Sequence, residues 1–117
     1  FQNLWIGVTV MPNRNKQRGY ELEAACRDFW LSYGFNARRT LASGAYKQQL
    51  GDDHAADLWI EDFSVEAKRK KSGFKFLYDS LAQDDASMLC IKQDRCDRVY
   101  VLREQTLLQL MQMAYCK

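Results

Sequence analysis

One stretch decides how this chain folds: ADLWIEDFSVEAK, residues 56–68. Two short apolar-rich runs, 56–60 and 63–68, are separated only by the dipeptide Glu61-Asp62. Two runs of strand length joined by two polar residues are typical of a tight β-hairpin. The stretch therefore predicts a pair of antiparallel strands.

The second strand of this hairpin carries the pattern Glu66-x-Lys68. Side chains alternate between the faces of a strand, so Glu66 and Lys68 are expected on one face, with Asp57 across from the Glu66 end. Neighbouring carboxylates repel each other unless a cation neutralises them, and an oxygen-lined site suits Mg²⁺ or Mn²⁺. Such an ion can polarise a phosphodiester and activate a water molecule, which Lys68 would position. The pattern therefore indicates hydrolytic chemistry.

The elements around the hairpin follow from periodicity. Between residues 19 and 33, apolar side chains recur at helical spacing, which predicts an amphipathic helix that ends at Gly34. Residues 35–41 are expected to be extended, and 42–54 to form a long polar loop. The remaining predicted elements are a helix over 74–83, strands over 88–92 and 98–102, and a helix over 104–115.

This order of elements indicates the fold class. Helix, three strands, helix, two strands and helix are expected to build an α/β fold, in which helices flank a mixed central sheet. A chain of 117 residues, 47% of them hydrophobic, suffices for one core, so residues 1–117 are predicted to be a single domain. If Met11 is the natural start, residues 1–10 are vector-derived or an accessory strand.

Composition excludes several classes of protein. No apolar stretch approaches the roughly 20 residues needed to cross a bilayer, and no secretory signal pattern is present, so we expect a soluble, cytoplasmic protein without a membrane partner. Four cysteines without C-x-x-C spacing and a single histidine indicate neither a zinc site nor a disulfide framework. The net charge of +2 is too small to indicate nucleic acid, so any polyanion site must come from local clustering.

The residues described so far carry a resemblance. Asp57, a short turn and Glu66-Ala67-Lys68 resemble the D…E-x-K core of the PD-(D/E)XK nuclease superfamily, and within it the archaeal-type Holliday junction resolvases, also found in phages. The likeness covers roughly residues 16–102, although Ala56 stands where the superfamily has proline. The upstream elements that occur in the family order are Arg18-Gly19, Glu23, Gly34-Phe35, Arg39 and Ser43-Gly44.

This resemblance implies a restriction-endonuclease-like αβββαβ core and a role for each matching residue. Asp57 and Glu66 would bind the metal, Lys68 would assist the nucleophilic water, Glu23 would complete the acidic site, and Ser43 would approach the scissile backbone. Two alternatives stay open: Glu21 competes with Glu23, and the loop residues Asp52 and Asp53 compete with Asp57.

Basic residues cluster near these positions and are expected to contact DNA phosphates. The predicted DNA-binding residues are Arg18, Arg38, Arg39, Lys70, Lys71 and Lys75. The terminal helix has an unusually broad apolar surface, formed by Leu107, Leu108, Leu110, Met111 and Met113. Leu108, Met111 and their neighbours are expected to bury a two-fold interface, as an enzyme with paired sites would require.

Together with these patterns, the resemblance implies a magnesium-dependent, structure-specific endodeoxyribonuclease that acts as a homodimer on four-way DNA junctions in phage or archaeal recombination and repair. The same site could instead act on flaps, nicked duplex or a specific sequence, or could have decayed to a DNA-binding module. Structural interpretations also stay open. Glu66 and Lys68 would then form an ion pair on a solvated sheet, Glu23 would pair with Arg27, Ser43 would serve a turn, and residues 68–71 would be a solvated strand end.

Overall fold

The computed structural model describes residues 14–40 and 56–117. Ser43, Asp52, Asp53 and residues 1–10 lie outside the described residues, so the predictions made for them stay predictions. The chain divides into two compact units, with the boundary between Arg69 and Lys70. The described elements are α1 (Arg14–Ser32), β1 (Ala37–Arg39), β2 (Leu58–Ile60), β3 (Phe63–Val65), α2 (Lys75–Gln83), β4 (Met88–Ile91), β5 (Val99–Leu102) and α3 (Glu104–Tyr115).

The first unit contains a three-stranded antiparallel sheet in the order β1-β2-β3. Ile60 pairs with Phe63, which leaves Glu61 and Asp62 as a two-residue turn. Glu61 takes a positive φ of 52°, which a two-residue hairpin turn requires at its first position. The predicted hairpin is confirmed, and its paired segments are shorter than the predicted runs.

One face of this sheet packs against α1. Leu58 is fully buried and Ile60 nearly so, while Trp59 between them is half-buried, which is the alternation expected of a strand covered on one side. Trp30 of α1 and Phe35 are each 2% exposed and meet edge to face at 5.2 Å between ring centroids. These side chains form the core of the first unit.

The C-terminus of α1 explains how the chain turns into β1. Gly34 has a φ of 86°, and its N–H donates to the Leu31 carbonyl at 3.0 Å. The Phe35 N–H donates to the Trp30 carbonyl at 3.1 Å. This pair of bonds is a Schellman motif, and the Trp30–Phe35 contact is the apolar contact that accompanies it. The predicted end of the helix at Gly34 is confirmed.

Glu61 fastens the hairpin turn to the start of β1. Its N–H donates to the Asn36 carbonyl at 2.7 Å, and its carboxylate accepts the Asn36 N–H at 2.8 Å. Its carbonyl also accepts a bond from the Arg38 guanidinium at 3.3 Å. Glu61 is therefore a structural acid, which the sequence pattern did not reveal.

The second unit consists of α2, the antiparallel pair β4–β5 and α3, and its buried side chains are Leu81, Leu108 and Met111. Arg103 joins two of its segments, since its guanidinium donates to the carbonyls of Leu81 and Ala86 at 2.9 and 2.8 Å. The bond to Leu81 satisfies a carbonyl in the last turn of α2, which a helix leaves without an intrahelical partner, and the bond to Ala86 holds the segment that follows the helix.

The predicted α/β class is confirmed. Every strand pairing among the described residues is antiparallel, and the pairings form two small sheets instead of the single mixed sheet that was expected. In the described ranges no helix has the length and apolar character to cross a membrane.

Candidate functional site

The candidate site lies at the open end of the β2–β3 hairpin. The Ala67 N–H donates a 2.8 Å hydrogen bond to Oδ2 of Asp57. Leu58 pairs with Val65, and continuing that register by one residue sets Asp57 opposite Glu66. The hairpin thus brings one carboxylate to the backbone of the Glu66-Ala67-Lys68 segment.

Asp57 is also held from the side of β1. Its carbonyl accepts the Thr40 N–H at 3.0 Å, and the Thr40 hydroxyl donates to the Ala56 carbonyl. Asp57 is therefore fixed between the ends of two neighbouring strands, although it is not itself part of a strand. A ligand on such a support keeps its position better than one in a loop.

Strand alternation separates this end of the hairpin from the core. Leu58 and Val65 point to the α1 side. Strand alternation therefore places the side chains of Asp57 and Glu66 on the other side of the sheet, together with that of Trp59. Glu66 and Lys68 are both exposed, and neither has an ion-pair partner in the described part of the chain. The simple ion pair between Glu66 and Lys68 is therefore not formed.

Glu23 lies elsewhere. Its carboxylate accepts a bond from Nε of Arg39 at 3.3 Å, and the Glu23 side chain is only 12% exposed. Arg39 also stacks its guanidinium over the Tyr20 ring at 5.6 Å. Since Arg39 pairs in register with the buried Leu58, this ion pair lies on the side of the sheet that contacts α1.

The two candidate helix carboxylates differ in their partners. Glu21 forms an exposed ion pair with Arg69 at 3.1 Å. Arg27 pairs with Asp28 at 2.9 Å, so it is not the partner of Glu23. Glu23 is the more buried of the two acids, and its carboxylate contacts the Arg39 guanidinium.

A metal site of three protein ligands is not assembled among residues 14–40 and 56–117, where no group of three or more His, Cys, Asp or Glu side chains converges. Asp57 and Glu66 remain a pair of carboxylates on one side of the hairpin. Two carboxylates with water and substrate oxygens are the usual ligand set of Mg²⁺, which dehydrates reluctantly. The donor chemistry of this pair therefore fits magnesium.

The predicted DNA-binding residues are in varied surroundings. Arg38 lies over the Trp59 ring at 5.6 Å, and Lys70 lies over the Phe74 ring at 5.3 Å. Lys75 forms an ion pair with Asp79 one helical turn away. Lys71 is exposed and Arg18 is half-exposed. All six cations thus keep some access to solvent.

Two residues beside β1 were missed by sequence reasoning. A cavity of about 400 Å³ is lined by Arg27, Ala37, Arg38, Arg39 and Thr40. Arg27 follows Glu23 by one helical turn, so it shares a helix face with an acid already singled out. That spacing was the available signal for Arg27, whereas nothing in the sequence indicated Thr40.

Comparison with protein-family models, with curated proteins and with solved structures found no match to this chain.

Proposed function

We propose that this protein is a metal-dependent endodeoxyribonuclease of the PD-(D/E)XK type that cuts four-way DNA junctions. The observation that carries the proposal is the hydrogen bond from the Ala67 N–H to Asp57, at the end of a hairpin whose register sets Asp57 opposite Glu66. In this proposal Glu66 and Lys68, which flank Ala67, supply the second carboxylate and the amine of the motif at the same end of the hairpin.

The order of elements also supports the finer fold assignment. From α1 to β4 the described chain runs helix, three strands, helix and strand, which is the αβββαβ order of a restriction-endonuclease-like core. The three strands form an antiparallel meander; Asp57 directly precedes its second strand, and Glu66 directly follows its third.

The chemistry proposed is hydrolysis of a phosphodiester. Asp57 and Glu66 would hold Mg²⁺ or Mn²⁺, which would supply Lewis acidity and a more acidic bound water. The Ala67 N–H fixes the orientation of the Asp57 carboxylate, which limits the geometries in which an ion can bind. Lys68 carries an exposed amine that orients the attacking water or the phosphoryl oxygens.

Glu23 has a more demanding role in this proposal. Its carboxylate is paired with Arg39 on the α1 side of the sheet, so completing the acidic site would require this pair to open and the Glu23 carboxylate to reach the other side of the sheet, where Asp57 and Glu66 lie. Arg39 can exchange a carboxylate for a phosphate because its guanidinium fork fits both anions. Phosphate binding at Arg39 would then release Glu23.

The basic residues provide the attraction for DNA. Residues 68–71 form an exposed run of four cations that begins two residues after Glu66, and Arg69 alone among them pairs with an acid in the described ranges. Neutralisation of several phosphates by such residues makes binding strongly dependent on salt. Ser43, by its position in the motif, remains a proposed contact to the scissile backbone.

We also propose a homodimer, because resolving a four-way junction needs two symmetric cuts. Leu107, Leu110 and Met113 of α3 are exposed, beside the buried Leu108 and Met111. Their outward surface is the candidate interface, and analytical ultracentrifugation with Leu110→Glu is its direct test.

Cleavage assays distinguish this function from the alternatives. Four-way junction, flap and linear duplex DNA are incubated with and without Mg²⁺, using the wild type and Glu66→Gln. Paired cuts on the junction alone support the resolvase, and cuts on all three substrates indicate a general nuclease. Salt-sensitive binding without cutting indicates a DNA-binding module, an alternative that the Glu23–Arg39 ion pair favours.

A further inference from the structure

The cavity beside β1 has the composition of an anion site. Three of the five residues that line it are arginines, and none of the five is acidic. They come from two elements, with Arg27 on α1 and the others on or directly after β1. In the part of the chain that the structure describes, β1 pairs only with β2.

The three guanidiniums keep most of their donors. Arg27 and Arg39 each use Nε for a carboxylate, and Arg38 uses one amino group for the Glu61 carbonyl. Each guanidinium has five N–H groups in a planar fork that matches the oxygens of a phosphate. The unused donors therefore suffice for a bidentate contact.

The carboxylates that pair with these arginines do not neutralise the cavity. The Arg27–Asp28 pair is exposed, with side-chain exposures of 34% and 65%, so it contributes little and exchanges readily with another anion. Glu23 contacts Arg39 through a single long bond of 3.3 Å. Three cations facing two such partners leave an excess of positive charge.

The cavity adjoins the backbone of Asp57, while Arg27 and Arg39 lie on the α1 side of the sheet and the Asp57 and Glu66 side chains lie on the other side. Thr40, which lines it, donates its N–H to the Asp57 carbonyl at 3.0 Å. Adjacent strands lie about 4.7–4.9 Å apart, so Asp57 is one strand away from the cavity and Glu66 is two strands away. A DNA strand that crosses the sheet ends would pass both places.

We propose that this cavity binds a DNA phosphate close to the one that is cut, and that it thereby fixes where the strand lies against Asp57 and Glu66. This inference rests on the proposed function, since it assigns the cavity to the same substrate. Arg27 distinguishes this inference from the proposed nuclease site, because Arg27 lines the cavity and has no role in the nuclease motif. The cavity is large enough for a phosphate together with its sugar.

The first experiment measures binding without cutting. A fluorescent four-way junction is titrated in EDTA at several salt concentrations with the wild type, Arg27→Gln and Lys92→Gln. Arg27→Gln is expected to raise Kd about three- to tenfold and to reduce the slope of log K against log salt by about one. Lys92→Gln makes the same change of charge on an exposed lysine of the second unit and should alter neither quantity.

The second experiment identifies the phosphate. Single methylphosphonates, which are uncharged, replace the phosphates on either side of the cut one at a time. At one position the substitution should weaken wild-type binding and leave Arg27→Gln binding unchanged, since the contact is already lost. Equal sensitivity of both proteins at every position would overturn the inference.

A further variant acts in the opposite direction. Asp28→Asn removes the partner of Arg27, so binding should become tighter if the guanidinium contacts DNA. This variant keeps the test decisive if Arg27→Gln fails to fold, and unchanged or weaker binding would count against the cavity. Wild-type binding without metal-dependent cleavage would refute the proposed nuclease, whereas cleavage with an unaffected Arg27→Gln would refute only the cavity.

Discussion

The Ala67 N–H donates to Oδ2 of Asp57 at 2.8 Å, across the open end of the hairpin. The bond joins the residue before β2 to the residue between Glu66 and Lys68, so it ties the Asp57 carboxylate to the backbone between the other two candidate residues. It also gives Asp57 a structural role that can be separated from a chemical one.

Substitutions at Asp57 separate the two roles. Asp57→Ala leaves the half-buried Ala67 N–H without this acceptor, so the free energy of unfolding should fall by about 1–2 kcal/mol. Asp57→Asn keeps an acceptor oxygen and should retain most of the stability, yet lose metal-dependent cleavage. Urea unfolding and a junction-cleavage assay check the two parts. Asp62→Asn in the turn is the control for both, and cleavage by Asp57→Asn at the wild-type rate would exclude Asp57 as a metal ligand.

Glu66 and Lys68 should affect cutting far more than binding. Glu66→Gln is expected to abolish turnover and to leave junction affinity in EDTA equal or slightly higher, because a carboxylate that repels phosphate is gone. Lys68→Ala should lower kcat by at least about 100-fold if the amine stabilises the transition state. Single-turnover kinetics and anisotropy measure the two quantities, with Lys92→Ala as a control. Parallel loss of binding and cleavage would argue against these roles.

The two acids of α1 should differ in their contribution to stability. Glu23 is 12% exposed and its loss leaves the partly buried Arg39 unpaired, so Glu23→Ala should cost about 1–3 kcal/mol. The Glu21–Arg69 pair is exposed, and Glu21→Ala should change stability by less than about 1 kcal/mol. A double-mutant cycle with Arg39→Gln isolates the pair. Equal effects at the two acids would mean that the Glu23 pair is not held in solution.

Two glycines of the first unit should respond to alanine in opposite ways. No atom would lie within 4 Å of a Cβ added at either position, so packing does not decide the result. Gly34 has a φ of 86°, and Gly34→Ala should cost about 1 kcal/mol through backbone strain. Gly19 lies inside α1, and Gly19→Ala should add up to about 1 kcal/mol. Thermal unfolding measures both, and stabilisation by Gly34→Ala would contradict the Schellman motif.

Tyr100 should titrate at a higher pH than a free tyrosine. It is paired across the sheet with Cys90. The side-chain hydrogen bond to Cys90 and the negative charge of the Cys90 thiolate raise the pKa of Tyr100 above 10.0. The folded state thus favours the neutral phenol, so this contribution to stability is present below pH 10 and is lost as the pH rises through the folded-state pKa. Cys90→Ala should lower the Tyr100 pKa toward 10.0 in an NMR titration, and Cys96→Ala should not. An unchanged pKa in Cys90→Ala would rule out the thiol as the cause.

Local signals in the sequence predicted much of the secondary structure. The helix predicted over 104–115 has the same bounds in the structure, and its apolar spacing runs from Leu107 to the C-terminal end. The hairpin followed from two strand-forming runs and a two-residue connection. In contrast, α1 begins at Arg14 instead of residue 19, since its first turn is polar and has no apolar periodicity.

The candidate site was predictable only where it depends on register. Asp57 opposite Glu66 follows from the pairing of neighbouring segments, which a short turn fixes. The pairing of Glu23 with Arg39 does not follow from local register, because it depends on how α1 packs against a strand sixteen residues further along the chain. Tertiary packing likewise created the cavity around Arg27, which no local pattern describes.

The connection between β2 and β3 is only Glu61 and Asp62, and its length governs chemistry at the far end of the hairpin. Inserting one residue there would slide β3 by a single step, and every side chain after the turn would exchange sides. Val65 would lose its apolar surroundings, while Glu66 would be driven toward the hydrophobic layer beneath α1. Natural insertions in this loop should therefore contain an even number of residues, because only these keep Glu66 on the same side of the sheet as Asp57.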